Sequence, residues 1–205
     1  MQSCKEFPVH ARMRQGSSLH DYSAKHATEK KHEVRIRGWH CVYLSAPFGR
    51  HCAVNYKKFK NLLGTFYPPD QIQICTPFFK SLSEKDFESG LGEVVKFNVM
   101  FGEQGIVNME NNIDALLRRE DDKLEEFVES SLAFKKDFIE EDEFDRGVRI
   151  HLNFAHTFGH AFETMSHYAI PHGTAVAMGT IVANRISLSR GWLTEDKVFR
   201  VEQIL

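Results

Sequence analysis

The chain has 205 residues, of which 42% are hydrophobic and 26% are charged, and its formal net charge is −2. This length suits one ordinary domain, or one domain and part of another, and the balanced charge argues against a protein that coats nucleic acid, because such binding needs a positive surface. No apolar run approaches the roughly 18–20 residues that span a bilayer, and the N-terminus lacks a signal-peptide core, so we expect neither nucleic acid nor a membrane as a partner.

The first 80 residues are predicted to form short strands and loops. Residues 1–36 are polar and show little periodicity. The apolar segment Cys41–Leu44 predicts a buried strand, and Gln71–Cys75 alternates polar and apolar side chains as a half-buried strand does. Gly64 and the double proline that follows it punctuate the region between these two segments.

From Ser81 onward the pattern is helical. Ser83 and Asp86 form a capping-box arrangement at the start of the first helix, and Gly191 stands where a helix-ending glycine belongs. We predict helices over about 84–100, around 113–117, over about 121–140, from Leu152 to His167, over about 173–190, and after a Thr194 cap. A boundary near residue 80 separates an α/β part from the helical part.

The four cysteines all lie in the first 75 residues, and none forms a C-x-x-C pair. A disulfide scaffold usually packs its cysteines densely into a short secreted chain. We therefore expect reduced thiols and a cytoplasmic protein.

Histidines are concentrated near the C-terminal end, with five of the eleven between His151 and His172. His156 and His160 are four residues apart and share a helix face, and His172 opens the next predicted helix. Two imidazoles from neighbouring helices and one carboxylate would form the three-ligand site of a catalytic zinc ion. Thr157 stands where a metalloprotease motif carries its glutamate. Histidines that are hydrogen-bonded to backbone are the structural alternative.

Charged residues accompany these histidines. Glu93 and Lys96 are three residues apart on one helix face. They form either a surface ion pair worth a few tenths of a kcal/mol or a site in which Glu93 binds a cation and Lys96 faces an anionic ligand. Arg149 precedes Asn153 by four residues and His156 by seven, so one helix would present all three as a stripe. Arginine binds carboxylate and phosphate bidentately. The set predicts a metal ion beside cations that bind a small phosphorylated, carboxylated substrate.

Four segments in one order resemble 3-dehydroquinate synthase and its sugar-phosphate cyclase relatives: KNLLGTFYPP (60–69), SGLGEVVK (89–96), RIHLNFAHTFGHAFE (149–163) and PHGTAVAMG (171–179). The resemblance implies a fold of the α/β plus all-α class, with an incomplete N-terminal α/β NAD-binding domain (1–80) and a truncated C-terminal helical metal- and substrate-binding domain (81–205). It implies a lyase of the shikimate pathway that uses NAD and one divalent ion, zinc or cobalt. Such an enzyme eliminates phosphate from a phosphorylated sugar acid, closes a carbocycle and forms a homodimer.

The resemblance also assigns residues by position. The implied metal ligands are Glu93, His156 and His172. The residues implied to line the substrate pocket and act in catalysis are Lys96, Lys135, Asp145, Arg149, Asn153 and His160. The residues implied to contact NAD are Asp21, Lys60, Asn61, Phe78, Phe79, Lys80 and Ser81.

The chain also departs from the family pattern. Its glycine-rich turn is reduced to QGSSLHD (15–21), and Thr174 replaces the usual glutamate. Three hypotheses stay open: a cyclase of the dehydroquinate synthase or 2-deoxy-scyllo-inosose synthase type, a non-catalytic metal-binding remnant, and a metal-dependent alcohol dehydrogenase. Within the cyclases, retention of both His156 and His160 favours these two types over the valiolone-forming branch. The accompanying cations argue against the third, because a simple alcohol needs no anion pocket.

Overall fold

A computed structural model describes the backbone of residues 5–7, 51–56, 59–66, 72–74, 76–142 and 146–205, and the side chains of residues 79–142 and 146–205. The predicted strand Cys41–Leu44 lies outside the described residues, as do the predicted site residues Asp21 and Asp145.

Four short strands form two antiparallel pairs in the N-terminal part. Strand β1 (Lys5–Phe7) pairs with β4 (Ile72–Ile74). Strand β2 (His51–Tyr56) pairs with β3 (Phe59–Phe66) in a register that becomes irregular after Val54. The described strands of the expected α/β part therefore form two antiparallel pairs.

Of these four strands, β4 was predicted and the other three were not. Strand β4 confirms the strand expected at Gln71–Cys75. Strand β3 runs through Gly64, which in the sequence only punctuates the region between two predicted strands. It pairs with β2, which ends only a few residues before it, and such cross-strand pairing is not captured by strand propensity alone. The backbone of Lys60 and Asn61 lies in β3.

The helical part begins with a 3-10 helix at Thr76–Ser81, and a second 3-10 helix lies at Val148–Asn153. The α-helices are α1 (Glu84–Met100), α2 (Glu103–Leu117), α3 (Asp121–Glu141), α4 (His156–Met165), α5 (His172–Ser189) and α6 (Glu195–Ile204). The ends predicted for the first, third and fifth of these are confirmed to within one residue. None of the described helices combines the length and the apolar character required to cross a bilayer.

Local signals explain two helix ends. Ser83 is the N-cap of α1, and its Oγ accepts a hydrogen bond from the Asp86 backbone N–H at 3.2 Å. Gly191 follows α5 with a φ of 72°, the left-handed conformation that glycine adopts without a Cβ penalty.

The fourth helix begins later than predicted. Residues Val148–Asn153 form the 3-10 helix, and Ala155 at the N-cap of α4 has a φ of 66°. A left-handed residue cannot continue a right-handed helix. The expectation that Arg149, Asn153 and His156 form one helical stripe is therefore wrong.

The apolar core lies between α1, α2, α3 and α6. Its completely buried side chains include Phe87 of α1, Met109 and Leu116 of α2, and Phe127 of α3. Full burial of one such side chain stabilises the fold by about 1.5–3 kcal/mol. This cluster anchors α1, whose other face packs against α5.

Helices α1 and α5 approach each other closely through two glycines. A Cβ on Gly92 would lie 2.2 Å from the Gly173 carbonyl oxygen, and a Cβ on Gly173 would lie 1.7 Å from the Ser89 carbonyl oxygen. The Gly173 N–H also donates a hydrogen bond to Ser89 Oγ at 3.0 Å. Because no larger residue fits, these glycines set the helix separation that brings Glu93 to His172.

Candidate metal centre

The three predicted metal ligands come together from separate elements. Glu93 lies in α1, His156 is the first residue of α4 and His172 is the first residue of α5. One ligand atom from each lies within 4.8 Å of the others. Glu93 Oε1 is 3.6 Å from His156 Nε2 and 3.4 Å from His172 Nε2.

These separations match a tetrahedral ion. Zinc binds imidazole nitrogen and carboxylate oxygen at about 2.0–2.2 Å. Two ligand atoms at that distance, related by the tetrahedral angle, lie about 3.4 Å apart. The oxygen–nitrogen distances of 3.4 and 3.6 Å are therefore those of ligands that share one centre.

The two oxygens of Glu93 have different surroundings. Oε2 accepts a hydrogen bond from Lys96 Nζ at 2.8 Å. Oε1 is buried and has no hydrogen-bond partner among the described residues; His172 Nε2 is 3.4 Å away. A buried carboxylate oxygen without a partner is costly. A divalent cation of the zinc or cobalt class, which takes mixed nitrogen and oxygen ligands, fits this orphaned atom.

Electrostatics set the protonation of the three groups. Burial raises the pKa of Glu93, but Lys96 and the two imidazoles outweigh that effect and hold it well below its usual range. Burial, with the charge of Lys96, lowers the pKa of His156 to about 4. At neutral pH these two groups are carboxylate and neutral imidazole, the forms that bind metal. Burial lowers the pKa of His172, but Glu93 and Glu163 raise it to a net value above the ordinary one.

The backbone before α4 orients His156. Its Nδ1 lies 3.0 Å from the Phe154 carbonyl oxygen, so Nδ1–H donates there and the Nε2 lone pair faces Glu93. The left-handed conformation of Ala155 makes the turn that separates this carbonyl from the helix. A Cβ on Gly179 of α5 would lie 2.4 Å from the Ala155 carbonyl oxygen, so α5 packs directly against the turn.

Several predicted substrate residues place positive charge beside the centre. Lys96 and Lys135 are buried, with 2% and 5% of their surface exposed, so the alternative of a surface ion pair for Lys96 and Glu93 is wrong. Lys96 Nζ also contacts the Leu152 carbonyl oxygen at 3.4 Å. Burial lowers the pKa of Lys135 well below its usual range, and the charges of Lys96 and Arg149 lower it further, whereas Glu93 opposes them. An anion bound among these cations would relieve their repulsion.

The remaining predicted pocket residues are more exposed. His160 Nδ1 lies 2.7 Å from Glu163 Oε2, its side chain is 46% exposed, and its ring lies 5.4 Å from each of the His156 and His172 rings. Asn153, at the end of the second 3-10 helix, is exposed. In the part of the chain described with side chains, Asn153 makes no side-chain hydrogen bond to the centre.

The predicted NAD contacts are described only in part. The Phe79 side chain packs in the core and is 8% exposed. Lys80 Nζ forms an ion pair with Asp121 Oδ2 at 2.7 Å, and Ser81 ends the first 3-10 helix. The side chains of Lys60, Asn61 and Phe78 lie outside the described residues.

One residue of the centre was missed. Glu163 of α4 is 4% exposed, and its Oε2 lies 2.7 Å from His160 Nδ1 and 3.2 Å from His172 Nδ1. The three groups form a second cluster of possible ligands. Glu163 follows His160 by three residues and His156 by seven, which places all three on one face of α4. That spacing was the available signal.

Comparisons with known proteins give one family. A family model described as 3-dehydroquinate synthase C-terminal matches residues 90–205, and one described as 3-dehydroquinate synthase N-terminal matches residues 41–89. The chain is 40% identical to 3-dehydroquinate synthase of Clostridium tetani over 156 residues, or 76% of this chain and 42% of that protein. It is 38% identical to the chloroplastic 3-dehydroquinate synthase of Arabidopsis thaliana, over 77% of this chain and 36% of that protein. The chain thus spans less than half the length of these relatives.

The fold is also similar to a solved structure. A crystal structure of 2-deoxy-scyllo-inosose synthase, complexed with carbaglucose-6-phosphate, NAD+ and Co2+, superimposes with a TM-score of 0.68. The two chains are 26% identical, and the match covers 79% of this chain and 46% of the other.

Proposed function

This chain belongs to the 3-dehydroquinate synthase family, and we propose that it acts as a cyclase of that type. The reaction is phosphate elimination from a seven-carbon phosphorylated keto acid, followed by ring closure, with NAD and one divalent ion as cofactors. The observation that carries the proposal is the orphaned, buried Glu93 Oε1, which faces the Nε2 atoms of His156 and His172 at 3.6 and 3.4 Å.

Glu93, His156 and His172 would hold the ion, which is zinc or cobalt. When bound, the ion supplies a Lewis acid beside a substrate oxygen. Lys96 holds Glu93 in place through Oε2 and leaves Oε1 free to bind the ion. The Phe154 carbonyl keeps the proton of His156 on Nδ1 and its lone pair on Nε2.

The cations and His160 act on the substrate in this proposal. Lys135, whose charge interacts with those of Lys96 and Arg149, binds the carboxylate and phosphate oxygens together with Arg149 and orients the substrate. We assign Asn153 and Asp145 to substrate binding from the sequence. His160 bonds through Nδ1 to Glu163, so its Nε2 is placed to accept and return a proton during elimination.

NAD supplies reversible hydride transfer. We assign its contacts to the residues predicted from the sequence: Asp21, Lys60, Asn61, Phe78, Phe79, Lys80 and Ser81. The division into an NAD-binding domain (1–80) and a metal- and substrate-binding domain (81–205) belongs to the same proposal, as do the cytoplasmic location and the homodimer.

Among the alternatives, the relatives favour dehydroquinate formation over the aminocyclitol route. The proteins named 3-dehydroquinate synthase are 40% and 38% identical to this chain, whereas the 2-deoxy-scyllo-inosose synthase is 26% identical. The family match also argues against the alcohol dehydrogenase alternative.

The test is an activity assay on the cobalt-loaded chain with NAD. We expect phosphate release from the seven-carbon substrate, no release from glucose 6-phosphate and no NADH production with glycerol. Lys135→Met should abolish phosphate release and leave cobalt binding intact, because Lys135 is not a metal ligand. A chain that binds cobalt stoichiometrically but releases no phosphate from either sugar is the non-catalytic remnant.

A further inference from the structure

One carboxylate connects two imidazoles of the centre. Glu163 is buried, and the same oxygen, Oε2, lies 2.7 Å from His160 Nδ1 and 3.2 Å from His172 Nδ1. His172 turns its other nitrogen, Nε2, toward Glu93 Oε1 at 3.4 Å. The His172 ring therefore lies between two buried glutamates, with one nitrogen toward each.

This placement determines which nitrogen of each ring carries a proton. A neutral imidazole has one N–H donor and one lone pair. A carboxylate accepts hydrogen bonds, and the nearer carboxylate oxygen to His172 is Glu163 Oε2, 3.2 Å from Nδ1, whereas Glu93 Oε1 is 3.4 Å from Nε2. The N–H of His172 is therefore drawn to Nδ1, as is that of His160, whose Nδ1 lies 2.7 Å from Glu163 Oε2. The lone pairs are then on Nε2, which in His172 points toward Glu93. Partners of this kind fix the tautomer and the ring orientation of metal-binding histidines.

We propose that Glu163 is a positioning residue that holds both His172 and His160 in the Nδ1–H tautomer. One carboxylate thus prepares a metal ligand and a proposed proton-transfer group together. The effect of Glu163 on metal affinity rests on the proposed function. Its effect on the tautomers of His160 and His172 in the metal-free chain does not rest on that function.

The cluster of His160, Glu163 and His172 has a second possible use. Ligand atoms of these three groups lie within 4.8 Å of one another, as in a metal site. His160 Nδ1 is hydrogen-bonded to Glu163 Oε2 at 2.7 Å, and His172 Nδ1 lies 3.2 Å from the same oxygen, within reach of an N–H···O contact, which favours the positioning role. Two ions per chain would support the second use instead.

The first test is nitrogen-15 NMR of the metal-free chain, recorded at about pH 9, well above the ordinary histidine pKa of about 6.5. The two rings are assigned with His160→Gln and His172→Gln. In the unmodified chain both rings should be Nδ1–H tautomers. In Glu163→Gln, His172 should shift toward a mixture with Nε2–H, because the amide offers one neutral acceptor. Unchanged tautomers in Glu163→Gln would overturn the proposal.

The second test is cobalt affinity by competition with a chelator. Loss of such a partner weakens metal binding by roughly 10–100-fold, and we expect that loss in Glu163→Gln, with a changed visible spectrum of bound cobalt. The control is Glu202→Gln, which removes a carboxylate that pairs with Arg185 on α5 and is 18% exposed. Equal affinities in Glu163→Gln and the unmodified chain, or a bound stoichiometry of two ions, would contradict the proposal.

The failures of the two proposals can be told apart. If the unmodified chain binds no cobalt, the proposed function fails, and the NMR experiment still decides the role of Glu163. If Glu163→Gln does not fold, as judged by its helical circular dichroism, Glu163→Asp replaces it. The aspartate keeps the charge but is one methylene shorter, so one of the two rings should lose the Nδ1–H tautomer. Retention of both tautomers in Glu163→Asp would also count against the proposal.

Discussion

The contact between α1 and α5 gives the sharpest prediction, because the Gly92→Ala variant should separate metal binding from stability. A Cβ at this position would lie 2.2 Å from the Gly173 carbonyl oxygen, and ordinary contact begins at 3.4 Å. The helices must therefore move apart by about 1.2 Å, the difference between those two distances. The Glu93 Oε1 to His172 Nε2 distance, now 3.4 Å, would grow to about 4.6 Å.

That distance is too long for one ion. Two ligand atoms at about 2.1 Å can be at most about 4.2 Å apart, and then only on opposite sides of the metal. Stability should change much less, because alanine improves helix propensity by about 1 kcal/mol while overpacking costs about 1–3 kcal/mol. We expect cobalt affinity to fall by at least tenfold, with a free energy of unfolding within about 2 kcal/mol of the unmodified chain.

The assay is chelator competition for cobalt, together with denaturant unfolding of the metal-free chain. The control is Gly147→Ala, where the added Cβ meets only Asp142 Oδ2 at an ordinary 3.7 Å. Unchanged cobalt affinity in a folded Gly92→Ala variant would refute the claim that this glycine contact sets the ligand geometry.

Three further predictions follow from the electrostatics. Lys96→Met removes the partner of a buried carboxylate, so the free energy of unfolding should drop by about 3–5 kcal/mol, measured by urea titration. Added zinc should restore part of that loss. Equal stability of the variant and the unmodified chain would show that Glu93 does not need this lysine. Cobalt affinity should rise with pH and then level off, because the raised pKa of His172 means that a proton must leave this ring when the metal binds. Calorimetry in buffers of different ionisation enthalpy should detect that proton. An affinity that does not depend on pH would contradict the assignment of His172 as a metal ligand. Asp142 accepts hydrogen bonds from the backbone N–H groups of Arg146, Gly147 and Arg149. These hydrogen bonds lower the pKa of Asp142, and the one from Arg146 has the largest effect. The contribution of the Asp142 carboxylate to folding stability is present above the ordinary carboxyl pKa and disappears as the pH falls through the lowered pKa. In thermal melts, Asp142→Asn should therefore be less stable than the unmodified chain at pH 7 and equally stable at about pH 2. A stability difference that persists in acid would argue against this role of Asp142.

Helix positions were predictable where local chemistry determines them. Ser83 supplies the N-cap of α1, and Gly191 provides a left-handed residue after α5. Both signals lie within a few residues of the boundary that they set, which is why the predicted limits agree with the structure.

The break before α4 was not predictable in the same way. Ala155 has no intrinsic preference for a positive φ, and its conformation accompanies the packing of Gly179 against its carbonyl. The sequence pattern of residues 149–160 continues as if one helix ran through it. Only the long-range contact with α5 shows why the chain turns there.

The clustering of Glu93, His156 and His172 was predictable, but the burial of their surroundings was not. The spacing of Glu93 and Lys96 placed them on one helix face, yet spacing cannot distinguish a surface pair from a pair that is almost completely buried. Glu163 illustrates the same limit, because a glutamate at that spacing on an exposed helix face would look identical in sequence. Burial, which makes these charges consequential, arises from the packing of α1, α4 and α5.

The most direct measurement on the central claim is X-ray absorption spectroscopy of the zinc-loaded chain. If Glu93, His156 and His172 hold one ion, the spectrum should show two imidazole nitrogens and oxygen ligands at about 2.0–2.2 Å, and Glu93→Ala should remove bound zinc. Sulfur scattering from any of the four cysteines, or zinc retained at full stoichiometry in Glu93→Ala, would contradict the account.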